Sequence, residues 1–168
     1  MDESSFIEIP NYKDSFCFAC GPANDKGMKM KFYGNDNLVY SNIAIPDHLA
    51  RWDGFSHGGI VSTLLDEVMG WGAIYLTRSL VLTKSMTVTY HKPVMVGEML
   101  RVESRVEERT HPKEALMSAQ IYNSKKELCA SATGVFFLMN KERITKLGFV
   151  DEKEIEFFWN LINSIPPA

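Results

Sequence analysis

The chain has 168 residues, 45% of them hydrophobic and 23% charged, which is enough apolar material for one well-packed domain and too little for two. Its net charge of −3, with lysines and arginines scattered among acids, offers no broad field for a nucleic-acid backbone. No apolar run reaches the roughly 18 residues that span a bilayer, and the acidic opening MDESSFIEIP lacks the positive start of a secretory signal, so a cytoplasmic domain without nucleic-acid or membrane-inserted partners is expected.

Near the start, Cys17 and Cys20 form CFAC, half the spacing of a zinc site, but the only other cysteine is Cys129 and no paired histidines follow. The expectation is two reduced thiols packed in a turn closed by Gly21 and Pro22, with no metal and no cofactor. Two short strands are predicted next, at Met28 to Tyr33 and Val39 to Ile45, split by the turn-like GNDN. A long apolar segment, HGGIVSTLLDEVMGW and its continuation to Leu76, reads as one helix. Beyond residue 82 alternation dominates. In MLRVESRVEERT, Leu100, Val102, Ser104 and Val106 share one face, and Arg101, Glu103, Arg105 and Glu107 the other. The segments 84–91, 115–123 and 127–139 are also rich in strand-forming residues, so these four strands are expected to form an antiparallel meander. DEKEIEFFWNLINS then puts Ile155, Phe158, Trp159 and Ile162 on one helical face before Pro166 and Pro167, predicting a terminal helix docked on the sheet or on a second subunit. The expected organisation is an N-terminal extension (1–16), a main domain (17–140) and a C-terminal helical extension (141–168).

At about 100° per residue, the large apolar residues of the central helix spread around most of its circumference, so it is buried. Ser62, Ala73, Asp66, Gly59, Gly70, Thr63 and Glu67 share the remaining arc, with Ile74 as its one large apolar member. A backbone or a thin ligand can approach such a wall of small residues, and Asp66 lies at its centre. A carboxylate there must be paired, wetted or protonated. Ser62 or Thr63 with water would satisfy it structurally; catalysis is the other reading.

The helix begins at Gly58 and Gly59, after Ser56 or His57. A helix N-terminus exposes unpaired amides and about half a positive charge, suited to a carbonyl oxygen gaining negative charge. Asp66 lies roughly 12 Å further along the axis, too far to act on the same carbonyl within one chain. Two antiparallel copies of the helix would bring each chain's amides opposite the other's acid.

HGGIVSTLLDEVMGW, with CFACG, MTVTYHKPV, GEMLRVESRV and ELCASATGVF in that order, resembles the hotdog-fold acyl-CoA thioesterases. These are the 4-hydroxybenzoyl-CoA thioesterase superfamily, and the resemblance is to its phenylacetic-acid-pathway branch. It implies an α+β hotdog fold: a six-stranded antiparallel sheet wrapped around one long helix, here with a C-terminal helix added. It also implies an acyl-CoA substrate and a homodimer or dimer of dimers. Carried over by position, Gly58 presents the oxyanion amide, Asp66 is base or nucleophile, His57 shapes the turn, and Thr83, or second Ser85, positions water from the partner chain. Glu67 either shares the site or is a structural acid.

Many members of the family that the chain resembles carry an asparagine or glutamine six or seven residues before the histidine, where this chain has Ala50 and Arg51. Arg51 either replaces that group or pairs with Asp47 or Asp53. Candidate substrate contacts are Gly59, Arg51, Trp52 and Ser85. Trp52, Phe55, Met69, Trp71 and Tyr75 suggest an apolar acyl pocket or plain core packing. Lys92 and the RTHPK loop with Arg109 offer cations for phosphates. The rival functions are a non-catalytic acyl-CoA or acyl-carrier binding module and a hotdog dehydratase or hydratase. The first would be expected to bring a separate DNA-binding segment, and the second's histidine motifs are absent.

Overall fold

The computed structural model describes residues 5–148 and 150–165. Three short strands open the chain: β1 (Ile7–Ile9), β2 (Phe32–Gly34) and β3 (Val39–Ala44). A small hairpin, β4 (Ala50–Trp52) and β5 (Phe55–Ser56), leads into the long helix α1 (Gly58–Thr77). Four long strands follow, β6 (Leu80–Tyr90), β7 (Met99–His111), β8 (Glu114–Tyr122) and β9 (Leu128–Met139), and then the helices α2 (Lys141–Leu147) and α3 (Glu152–Ser164).

The main sheet is antiparallel, in the order β1-β2-β3-β7-β8-β9-β6, and it wraps α1. This is the hotdog architecture, with two differences from the sequence-based expectation. Among the described residues the main sheet has seven strands, because Ile7–Ile9 adds an edge strand to β2. The last four strands are not one meander either. β7, β8 and β9 are consecutive neighbours, but β6 pairs with β9 while β7 pairs with β3. The connection 91–98 therefore crosses the end of the sheet. It is held there by Ser56 N–H to Val94 O at 2.8 Å, Val96 N–H to Gly54 O at 2.8 Å and Gly97 N–H to Ile45 O at 2.9 Å. The GNDN turn forms as expected, with Asn35 Oδ1 accepting from the amides of Asn37 and Leu38 at 3.0 and 3.1 Å.

Val61, Leu64, Leu65, Val68, Met69, Trp71, Ala73 and Tyr75 of α1 are buried against the sheet. The helix packs tightly on the sheet at Gly72, where an added Cβ would lie 2.3 Å from Ser104 Oγ of β7. That hydroxyl cannot easily move aside, because it is buried and donates to Val68 O at 2.7 Å. Trp71 stacks on Phe32 with centroids 4.8 Å apart. The helix stops at Arg78, whose left-handed backbone (φ 59°) lets its N–H close on Ile74 O at 3.1 Å.

α3 docks on its own chain. Ile155 and Ile162 are buried with Leu80, Met139 and Ile144, and Phe158 meets Trp71 edge-on at 5.4 Å. Among the described residues no helix is long and apolar enough to cross a membrane.

The Gly72–Ser104 contact makes a definite stability prediction. Gly72→Ala should destabilise the fold by about 2 kcal/mol, since overpacking outweighs the roughly 1 kcal/mol gain in helix propensity. In a Ser104→Ala background the same change should cost little. Urea denaturation of the four proteins reads this directly, and an undiminished cost in the double variant would rule the contact out as the cause.

Candidate active site

At the start of α1, His57 is the N-cap residue: its Nδ1 accepts from Gly59 N–H at 2.9 Å, and its carbonyl accepts from Ile60 and Val61 at 2.9 and 3.2 Å. The Gly58 N–H is left without an acceptor among the described residues. It therefore remains a donor at the positive end of a 20-residue helix. Tyr90, the last residue of β6, sits over this turn. Its hydroxyl donates to Gly58 O at 3.1 Å and lies 2.6 Å from Ser62 Oγ, which itself donates to Gly58 O at 3.0 Å. Thr63 Oγ1 likewise donates to Gly59 O at 2.9 Å. Ser62 and Thr63 thus bond their own helix turn, and neither satisfies Asp66.

Asp66 is half-buried two turns on, and among the described residues its hydrogen bond comes from Thr83 Oγ1, at 2.9 Å from Oδ1. Burial raises its carboxyl above the usual carboxylate range, and the Thr83 hydrogen bond pulls partly the other way. A bulge in β6 puts Thr83 there. The register with β9 shifts between Thr83 and Ser85, so Val81 and Thr83 before the bulge share the helix-facing row with Met86 and Val88 after it. Ser85 falls off that row and is exposed. Thr83 belongs to the same chain as the acid it meets, whereas the resemblance implied a hydroxyl from the partner chain.

Glu67 has turned elsewhere, to Trp71 Nε1–H at 3.2 Å and to Cys17, whose Sγ lies 3.9 and 4.0 Å from the two carboxylate oxygens. Burial, followed by the charge of Cys17, pushes Glu67 up to about 7. Within CFAC, the Cys20 thiol as hydrogen-bond partner holds Cys17 below the usual thiol range, and the same partnership and burial push Cys20 up. Both acids, both cysteines and Thr83 line a cavity of about 420 Å³, whose apolar wall includes Trp71, Phe136 and Phe158.

The structure thus forms two groups of residues: Asp66, Glu67 and Thr83 at the cavity, and His57, Gly58 and Gly59 at the helix start. Other sequence candidates lie apart. Arg51 pairs with neither Asp47 nor Asp53; its guanidinium stacks 4.3 Å over the Trp52 ring, and Trp52 is 67% exposed on the small hairpin. Lys92 forms an ion pair with Glu127 at 2.6 Å. Arg109 lies within β7, exposed, and does not line the cavity; RTHPK is mostly strand, with its turn at Pro112 and Lys113. Of the aromatic and sulfur side chains expected around an acyl group only Trp71 lines the cavity, while Met69 and Tyr75 belong to the core. Sequence reading missed Tyr90, because its position over Gly58 depends on the bulge. It also missed the meeting of CFAC with Glu67, although both had been singled out separately.

Residues 53–130 match the family model of the thioesterase superfamily. Over this stretch, which runs from the small hairpin through α1 to the start of β9, the chain is similar to that superfamily. Acyl-coenzyme A thioesterase THEM4 of Xenopus laevis is 37% identical to it over 68 residues, which cover 40% of this chain and 30% of that protein. The Mus musculus protein of the same name is 28% identical over 97 residues, 57% of this chain and 41% of its own. The matches thus span less than half the length of these curated relatives. Among solved structures, the hotdog domain resembles smu.793 of Streptococcus mutans, bound to acetyl CoA, at TM-score 0.61 and 22% identity, covering 66% of this chain and 89% of that one. It also resembles the E. coli PaaI protein from the phenylacetic acid degradation operon, at TM-score 0.63 and 15% identity, covering 71% and 88%.

The cap geometry at the hotdog helix gives a local prediction. His57→Ala removes the acceptor of the Gly59 amide and should cost about 1 kcal/mol of stability. Tyr90→Phe should cost about 0.5–1.5 kcal/mol through its lost hydrogen bonds. Thermal and urea unfolding check both; variants as stable as wild type would show that the turn does not depend on these groups.

Proposed function

We propose that the chain hydrolyses acyl-coenzyme A thioesters, with Asp66 as the acid and the Gly58 amide as oxyanion donor, in a dimer of antiparallel copies. The observation that carries this reading is one polar stripe of α1 with a free amide at its start and a half-buried, hydroxyl-bonded carboxylate two turns later. The two are about 12 Å apart along the helix axis, so neither can serve the other on one thioester within a chain. β6 is an 11-residue strand at the sheet edge, a ready template for a second copy. Antiparallel pairing there would set two α1 helices side by side and bring the Gly58 of one copy towards the Asp66 of the other. Acyl-coenzyme A as substrate is supported by the names of the curated relatives and by the acetyl CoA and coenzyme A held in solved neighbours.

In this reading the helix N-terminus and Gly58 N–H stabilise negative charge on the thioester oxygen as the carbonyl carbon becomes tetrahedral. Asp66, with Oδ1 held by Thr83, either takes a proton from the attacking water or attacks the carbonyl itself. The first route leaves the carboxyl protonated until it returns the proton to the departing thiolate. The second forms a mixed anhydride that water then opens. The cavity wall of Trp71, Phe136 and Phe158 receives the acyl group.

A thiol-release screen across aryl- and fatty-acyl-CoAs identifies the substrate. Asp66→Asn should lower kcat by about 10²–10⁴-fold, and Gly58→Pro, which removes the donor, by about 10²–10³-fold. Rates within a few-fold of wild type in folded variants would remove these residues from the mechanism. Single turnover in oxygen-18 water detects the anhydride route when water opens the anhydride at the Asp66 carboxyl carbon, which leaves label in Asp66; trapping the acyl-enzyme with hydroxylamine detects the route whichever carbon water attacks. Binding of acyl-CoA without thiol release would favour the non-catalytic alternative.

A further inference from the structure

CFAC is not used by the reaction proposed above, yet it forms part of the cavity wall. The Cys17 and Cys20 sulfurs and a Glu67 carboxylate oxygen lie within 4.8 Å of one another. They come from two segments, a loop and the middle of α1, and only folding brings them together. Sequence alone favoured a plain pair of reduced thiols, because it showed no third ligand. Here the third ligand is an acid on a helix.

The loop is built rigidly around these sulfurs. Gly21 N–H donates to Cys17 O at 2.8 Å, and Asn11 Nδ2 donates to Cys20 O at 2.8 Å. The flanking residues are pinned by Met28 N–H to Phe18 O at 2.8 Å and Met30 N–H to Ala19 O at 3.0 Å. A Cβ at Gly21 would lie 2.4–2.6 Å from the backbone of Ser15 and Cys17, so the tight turn requires glycine. A backbone held this closely does not let the two thiols drift apart.

Glu67 sharpens the point. Its partners among the described residues are an indole N–H and the thiols, with no lysine, arginine or histidine in contact. The carboxylate accepts from the Cys17 thiol and the Trp71 indole, but among the described residues no cation stands against its charge. A divalent ion replacing the two thiol protons would supply that cation. For tetrahedral zinc, with Zn–S about 2.3 Å and Zn–O about 2.0 Å, ligand atoms lie roughly 3.5–3.8 Å apart. The Cys17 S···O separations of 3.9 and 4.0 Å, within a set whose atoms all lie within 4.8 Å of one another, need inward movements of up to roughly 1 Å.

We propose that Cys17, Cys20 and Glu67 bind a zinc-class divalent cation in the wall of the cavity, with a fourth coordination position left for water or another small ligand. The sulfur–sulfur–oxygen set suits zinc better than magnesium or calcium, which prefer oxygen alone. Binding to two thiols and one carboxylate releases the two thiol protons and leaves a site of net charge −1. It ties the N-terminal loop to α1 one residue from Asp66, and it holds whether or not the chain hydrolyses thioesters.

The test is titration of the reduced, metal-free protein with Co²⁺ under anaerobic conditions. The expected result is uptake of about one equivalent, with the near-ultraviolet thiolate-to-cobalt charge-transfer band and visible bands of tetrahedral cobalt, all displaced by Zn²⁺. Cys17→Ser and Cys20→Ser should each abolish the charge-transfer band, Glu67→Gln should weaken binding at least about tenfold, and Cys129→Ala should bind as wild type does. Absence of the band in wild-type protein, or its persistence in both serine variants, would overturn the site. If the serine variants do not fold, alkylation of the wild-type protein replaces them. Zinc should then protect two of the three cysteines, and equal reactivity with and without zinc would refute the proposal.

Discussion

One sheet can surround a buried helix on only part of its circumference. α1 is apolar almost all round, and it packs tightly on the sheet where Gly72 meets the buried hydroxyl of Ser104. A side chain at that position would push the helix away from β7. The packing leaves one stripe facing away from the strands that cover the rest, beside the edge strand β6. The partial burial of Asp66, the reach of Thr83 and the position of Tyr90 over Gly58 all belong to that stripe.

The two adjacent acids show how finely this matters. Asp66 and Glu67 differ by about 100° around the axis, and they meet different surroundings. Asp66 faces the strand and receives a hydroxyl; Glu67 faces sulfur and an indole N–H. Each raised pKa comes first from burial, but only Asp66 has a hydroxyl on one carboxylate oxygen. The cavity they share takes its walls from the N-terminal loop, α1, β6, β9 and α3. The terminal helix therefore belongs to the site as well as to the packing, through Phe158 against Trp71.

Much of this was legible in the sequence. The all-round apolar pattern announced a buried helix, its small polar stripe singled out Asp66 and Gly58, and alternation located the long strands after residue 82. The apolar residues of the last segment, above all Ile155 and Ile162, predicted α3 and its buried face. These features are local. Helical and strand periods repeat within a few residues, and a helix cap is made by side chains next to it, as His57 is for Gly59.

The rest depended on which distant segments meet, which no local period encodes. Strand order is one example: β6 has the same alternation whether it pairs with β7 or with β9, and only the crossing of 91–98 over the sheet end decides. A single bulge is another, since one extra residue in β6 reverses the facing of everything after it and so separates Thr83 from Ser85 and carries Tyr90 to Gly58. CFAC and Glu67 are fifty residues apart in the chain and adjacent in the fold. Sequence determined the elements and their chemical faces, because these arise from covalent neighbours. Tertiary structure decided the partners, because burial and pairing are settled between segments that share no local signal.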